Sequence, residues 1–254
     1  MHVRALGASA CIGNPGYTTC LLAGQDTLVD CGTGAGTLST EDILALRSVL
    51  LTHSHLDHTG LLPLLADVHA CHDGPGLDVY GLPETLDALS RHFFNDAIWP
   101  DYARQENGKS WLRMRPIDVG DTVPLTNGLA TALPAQHTQP ALGWLIEGPW
   151  RALAYSGDSA PCPAFWQWVC GVPSLTDVIC EVCYNDALQA LAGKQGHSTP
   201  GQLASYLAKL PSQAQFWVTH IDSRCRTEVI QEMQRLCPAN LRLSMLKEGT
   251  LIEL

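Results

Sequence analysis

Short apolar runs alternate with polar, glycine-bearing breaks along most of this chain, and the runs are of two kinds. The shorter ones, rich in Val, Leu, Ile and Tyr, cannot sustain a helix and read as strands, many buried on both faces. They predict strands at residues 3–6, 18–22, 27–29, 49–52, 130–133, 143–146, 152–155, 177–182 and 216–219. The first three follow one another across tight breaks such as Gly24, as consecutive hairpins require. Longer stretches with apolar residues at helical spacing predict helices at 61–70, 83–98, 200–210 and 228–236. The third carries its own start signal, with Thr199 at the N-cap, Pro200 at the first helical position and Gln202 placed to complete a capping box. Strands interleaved with helices, without repeat, linker or charge block, predict a single α/β domain over residues 1–254.

The chemistry falls where the predicted strands stop. HSHLDH at 53–58 directly follows VLL at 49–51 and puts three imidazoles and a carboxylate into six residues. In a segment leaving a strand, His53 and His55 lie two apart and can face the same way, while Asp57 and His58 can serve a second ion after the chain turns. Imidazole and carboxylate suit Zn²⁺, Mn²⁺ or Fe, whereas a structural zinc knot would use paired thiolates. His137 follows the strand ending near residue 133, Asp158 follows 152–155 and His220 follows 216–219. Layered α/β folds bring such strand ends together, so these residues are expected to converge as metal ligands. His2, His69 and His72 have no such company and read as surface residues.

Composition narrows the partners. A hydrophobic share of 46% with 16% charged residues describes a globular chain with short connections. The net charge of −10 argues against a nucleic-acid partner, which would call for a basic face, although bound metal can reverse the field locally for a small anionic substrate. No secretory signal opens the chain and no run approaches the roughly 20 apolar residues of a membrane span, so no membrane partner is expected and the location is expected to be cytoplasmic, or periplasmic behind a missing leader. The 10 cysteines are dispersed, which suits free thiols in a reducing compartment. Cys180 and Cys183 form a CxxC without the second pair of a thiolate metal site.

The order HxHxDH, later His, later Asp, final His, met by His53, His55, Asp57, His58, His137, Asp158 and His220, resembles the metallo-β-lactamase fold superfamily over nearly the whole chain. LVDCGTG at 28–34 is similar to the strand and turn that precede the cluster there. The resemblance implies an αββα sandwich with a dinuclear site at the sheet edge and two divalent ions, zinc first, with manganese or iron as alternatives. It also implies that His53, His55 and His137 hold one ion, that Asp57, His58 and His220 hold the other, and that Asp158 bridges them. Within the superfamily, HFFNDAIWPD at 92–101 resembles the FNxxIWPN-type signature of class II 3′,5′-cyclic nucleotide phosphodiesterases. Glu181 and GHSTP at 196–200 look like that family's later acid and GHxTP segment, the latter shared in part with tRNA 3′-processing endonucleases. Asp101 stands where Asn is frequent, and Ser198 where Leu is often seen. Relatives of this kind often dimerise, so a homodimer is among the expectations.

The function so implied is hydrolysis of a small cyclic nucleotide, cAMP first, to the 5′-monophosphate. Two metal ions would provide a nucleophile at neutral pH and neutralise charge on the phosphate. Asp57 would orient the nucleophile as well as ligate, and His197 would protonate the leaving 3′-oxygen. The helix start after His197 opposes an imidazolium, so Glu181 is needed to hold and charge the ring. A helical segment at about 83–101 is expected over the metals, with Phe93 and Trp99 stacking on a purine and Asn95 meeting a base edge. The alternative for that segment is an apolar helix face near a proline stop. Two other functions compete: a tRNA 3′-processing endonuclease, disfavoured by the acidic balance, and a non-catalytic cyclic-nucleotide sensor, disfavoured by the full ligand set.

Overall fold

The computed structural model describes residues 1–13, 16–104 and 108–254, whose strands form two seven-stranded sheets. In the first, β1 (His2–Gly7), β2 (Cys20–Ala23), β3 (Thr27–Val29), β4 (Ser48–Leu50), β5 (Leu77–Gly81) and β6 (Leu112–Pro116) lie side by side in chain order. The second runs in the same way through β7 (Thr122–Leu125), β8 (Gly128–Pro134), β9 (Leu142–Glu147), β10 (Ala152–Tyr155), β11 (Leu175–Glu181), β12 (Gln215–Thr219) and β13 (Arg242–Met245). β14 (Leu251–Glu253) then returns beside β1. The early hairpins form as the glycine breaks predict, with β1 antiparallel to β2 and β2 antiparallel to β3.

Alternation along the strands decides how the layers stack. In the run after Ser48, Val49 and Leu51 face the helices while Leu50 faces the other sheet. Likewise Val178 and Cys180 point to the outer helices and Ile179 points inward. Both faces are therefore buried, which is why these stretches are continuously apolar rather than alternating. Each such Leu or Ile contributes roughly 1.5–3 kcal/mol by leaving water. Helices α1 (Thr40–Ala45), α3 (Leu62–Cys71) and α4 (Pro83–His92) cover the first sheet, with α2 (Leu56–Thr59) at its edge. α5 (Pro163–Cys170), α7 (Pro200–Leu207) and α8 (Arg226–Leu236) cover the second, and α6 (Gln189–Gln195) lies beside the loop that follows β11. The result is an αββα sandwich. α7 begins at the predicted cap, where Thr199 N donates to Gln202 Oε1 at 3.0 Å.

Strand direction gathers the loops. β8 is antiparallel to β9 and β9 to β10, while β10, β11 and β12 pair in parallel, so β8, β10, β11 and β12 all finish at one edge. The parallel β3 and β4 of the other sheet finish beside them, joined where Leu142 N donates to Thr52 O at 2.8 Å.

Two expectations need correction. The helix predicted over 83–98 stops at His92, so no helical segment runs on to residue 101. The chain instead closes a tight loop in which Phe94 bridges to Trp99, with Asp96 in the left-handed region at φ 61°. Asn and Asp side chains compete for backbone groups here, and Pro100 pushes the residue before it out of the helical region. His69 is not a surface residue: α3 turns it inward, fully buried, with Gly76 N donating to its Nδ1 at 3.3 Å.

Candidate active site

Asp30 directly follows β3 with φ 59°, a left-handed conformation that Asp tolerates better than most residues. This turn aims its carboxylate across the sheet edge, where it is fully buried. It accepts from Thr52 N at 2.8 Å, from Thr52 Oγ1 and from Tyr155 OH, and it holds His58 Nδ1 at 2.7 Å. With Nδ1 committed to Asp30, His58 presents Nε2 to the centre, an outer carboxylate fixing a ligand ring. The approach is close because Gly32 follows: a Cβ there would lie 2.1 Å from Asp57 O.

The predicted ligands converge in two sets. His53, His55 and His137 form one, Asp57, His58, Asp158 and His220 the other, and within each set the ligand atoms lie within 4.8 Å of one another. Asp158 reaches both: its Oδ1 is 3.3 Å from His58 Nε2, and its Oδ2 is 3.1 Å from His220 Nε2 and 3.9 Å from His53 Nε2. His137 Nε2 is 3.2 Å from His55 Nδ1, while its Nδ1 donates to Gly196 O at 2.8 Å. Gly196 is left-handed at φ 71°, and a Cβ on it would crowd His137 Nδ1 at 2.9 Å.

These donors fit divalent metal ions. His53 Nε2, His58 Nε2 and Asp158 Oδ1 are buried without hydrogen-bond partners, each a loss of about 1–3 kcal/mol unless something occupies the space between them. Burial pushes the His53, His55 and His137 rings below their ordinary value, keeping them in the neutral form that ligates. Burial opposes charge on Asp158 too, but His220 and His58 outweigh it and hold the carboxyl well below the usual range. The carboxylates that draw a proton towards His58 would equally draw a cation.

Beside the ligand sets, Glu181 is fully buried at the end of β11. It accepts from Ser159 N and Ser198 N at 3.1 Å through Oε1 and from Cys183 N at 2.9 Å through Oε2. Its Oε1 also lies 3.2 Å from His197 Nδ1. Burial alone would lower the His197 pKa, but Glu181 more than reverses it and pushes it up to about 9. The His197 ring stacks 5.6 Å from that of His220 and lies 5.0 Å from that of His137. All three face a cavity of about 410 Å³ whose wall also includes Asp57, Tyr184 and Lys194.

A model of the beta-lactamase superfamily domain matches residues 26–221. The chain belongs to the beta-lactamase superfamily. Among curated members, it is 38% identical over 71 residues to 3′,5′-cyclic-nucleotide phosphodiesterase 1 of Saccharomyces cerevisiae, a match spanning 27% of this chain and only 19% of that protein. It is 26% identical over 270 residues to ribonuclease Z of Methanosarcina mazei, covering 85% of this chain and 84% of the relative. The crystal structure of unliganded yeast PDE1 superposes with a TM-score of 0.82 at 18% identity, over 100% of this chain and 99% of that one. That likeness shows the superfamily's fold.

The expected base-binding group is not gathered here. Phe93, Asn95 and Trp99 are not among the cavity's lining residues: Phe94 is buried beneath α3 and α4, and Phe93 and Trp99 pack against the same cluster. Asn95 spends its amide on the loop, donating to Arg91 O at 2.7 Å and accepting from Ala97 N and Ile98 N at 3.0 Å. Sequence reasoning passed over Asp30, although an acid immediately after a fully apolar strand is a signal of its use. It also gave no role to Tyr184, Lys194 or Gln195 on the cavity wall, whose spacing around α6 carries no motif.

Proposed function

We propose that this protein is a metal-dependent phosphodiesterase that opens a small 3′,5′-cyclic nucleotide to its 5′-monophosphate, with cAMP as the first substrate to test. The observation that carries the reading is His197, whose Nδ1 is 3.2 Å from the buried Glu181 and whose ring stands beside the ligand sets on the cavity wall. Bound to those sets, divalent ions supply a nucleophile at neutral pH and neutralise charge on the phosphate. The chain's own residues do the rest. Glu181 accepts from Nδ1–H and so fixes the ring with Nε2 towards the cavity, where it can give its proton to the departing ribose 3′-oxygen. Such an alkoxide is a poor leaving group, which is where a general acid contributes most. Asp57, partly exposed on the wall, would orient the attacking water. A cavity of about 410 Å³ falls within the range of small-ligand pockets.

A second reading, endonucleolytic cleavage at tRNA 3′ ends, is favoured by the near full-length match to the Methanosarcina ribonuclease Z. The net charge of −10 weighs against it, since RNA affinity rests largely on phosphate neutralisation. Zinc- or manganese-loaded protein offered cyclic nucleotides, linear diesters and a tRNA precursor separates the two. Release of 5′-AMP from cAMP supports the first, 3′-AMP overturns the assigned leaving group, and cleavage of the precursor without action on any cyclic nucleotide promotes the second.

A further inference from the structure

The cavity wall holds a third ligand set, which adds Cys183 to two residues that the hydrolytic centre already uses. Cys183, His197 and His220 offer a sulfur and two nitrogens within 4.8 Å of one another, and all three residues face the cavity. Cys183 follows β11 and its backbone N–H donates to Glu181 Oε2 at 2.9 Å, so the carboxylate that fixes His197 also holds the backbone of Cys183 beside it. With Nδ1 turned to Glu181, His197 leaves Nε2 for the cavity. One thiol with two imidazoles is a softer set than the nitrogen and oxygen ligands of the hydrolytic centre, with which it shares His220, and it suits Zn²⁺ or, more strongly, Cd²⁺. Asp222, also on the wall, and Glu181 flank the set and offset added positive charge.

We infer that Cys183, His197 and His220 form an inhibitory site for a soft divalent cation. Capture breaks the S–H bond of Cys183 and the Nε2–H bond of a protonated His197, forms sulfur–metal and nitrogen–metal bonds, and releases both protons to solvent without electron transfer. A captured Nε2 has no proton to give, and His220 is drawn away from the set it shares with Asp57, His58 and Asp158. The inhibitory half of this inference rests on the proposed acid role of His197; the binding half does not.

Metal-loaded protein titrated with Cd²⁺ tests both halves. None of the seven hydrolytic ligands is sulfur, so an ultraviolet sulfur-to-cadmium charge-transfer band reports a thiol site alone. The wild type should gain the band with one further Cd²⁺ per chain while turnover falls about 10²-fold, the low end for loss of a general acid. Cys183→Ser should keep basal turnover and lose both the band and the inhibition, with Cys183→Ala as the second variant if Ser disturbs the fold. Cys11→Ser, altering the other thiol on this cavity, should leave both in place. An undiminished band in folded Cys183→Ser, or its loss in Cys11→Ser instead, would overturn the site. A Cys183-dependent band without loss of turnover would overturn the inhibition and count against His197 as the acid. Protein inactive on every phosphodiester would sink the proposed function, while the band, present or absent, would still decide whether the thiol site exists.

Discussion

Two loops of the first sheet, residues 53–58 and 93–101, carry the most conspicuous side chains of the chain, and they treat their polar atoms in opposite ways. In the first, His53 Nε2 and His58 Nε2 are buried without partners and point at Asp158, which carries an unpartnered oxygen of its own. In the second, polar atoms are spent inside the loop: Asn95 bonds three backbone groups, and Asp96 accepts from Asp101 N and from Arg104. Trp99 Nε1 is the exception there, a lone buried donor without a partner among the described residues. Several unsatisfied polar atoms converging on one point ask for a ligand. A closed set of local bonds builds a turn.

The largest effect should come from the residue at which the unsatisfied atoms meet. Asp158→Ala removes the carboxylate that His53, His58 and His220 all approach, so elemental analysis should show both ions depleted, and phosphodiesterase turnover should fall by more than the roughly 10²-fold that loss of an outer partner costs. His220→Ala should chiefly deplete one. Retention of both ions by Asp158→Ala would break the two-set geometry.

His197→Ala should come next, with both ions retained and cAMP hydrolysis down by about 10²–10⁴-fold. An activated p-nitrophenyl diester, whose leaving group scarcely needs a proton, should suffer far less. Equal loss on both substrates, or loss of an ion, would make His197 a ligand or a structural residue. Glu181→Gln should show the same pattern more mildly. His197 keeps its proton up to about pH 9 chiefly because Glu181 overcomes burial, so removing that charge should move the basic limb of the rate profile to lower pH. An unmoved limb would detach Glu181 from the acid.

Much of this was legible in the sequence for a definite reason. Continuously apolar runs mark strands buried on both faces, and a ligand just beyond a strand's end is positioned by the strand's direction, so order along the chain sufficed to place His137, Asp158 and His220 together. The loop at 93–101 lacked that anchor. Its aromatic spacing is compatible with a helix face, and only the competition of Asn95 and Asp96 for backbone groups closes it into a turn away from the cavity. The wall around Tyr184, Lys194 and Gln195 was illegible because it depends on how the β11 loop folds over the site. Tyr184 OH, for instance, meets Gln195 Oε1 at 2.5 Å across that loop.

Asp30 offers a smaller, sharper test because it touches the proposed ligand His58 rather than the proposed metal. Asp30→Asn keeps the shape but removes the charge behind His58 Nδ1, and outer partners of this kind are worth about 10–100-fold in metal affinity or activity. Competition with a graded chelator should show weaker retention of the ion for which His58 is the proposed ligand, with the ion proposed for His53, His55 and His137 less affected. Equal weakening of both would mean that Asp30 supports the edge as a whole, through Thr52 and Tyr155.

The smallest effect on turnover should come from the second loop. Trp99 packs against the cluster beneath α4, so Trp99→Ala should cost about 3 kcal/mol, the low end for such a truncation because the ring is only partly buried. Asn95→Ala gives up three bonds that close an exposed turn, worth roughly 0.5–1.5 kcal/mol each at most. Thermal or denaturant unfolding should register both losses, while kcat and KM for cAMP stay within about twofold, the scatter expected where no transition-state contact is removed. A raised KM with unchanged stability would reverse the comparison between the loops. Since neither residue lines the cavity of its own chain, that result would mean that residues 93–101 reach substrate from a second copy of the protein, and the KM of Trp99→Ala would then have to depend on protein concentration across the dimer's dissociation range.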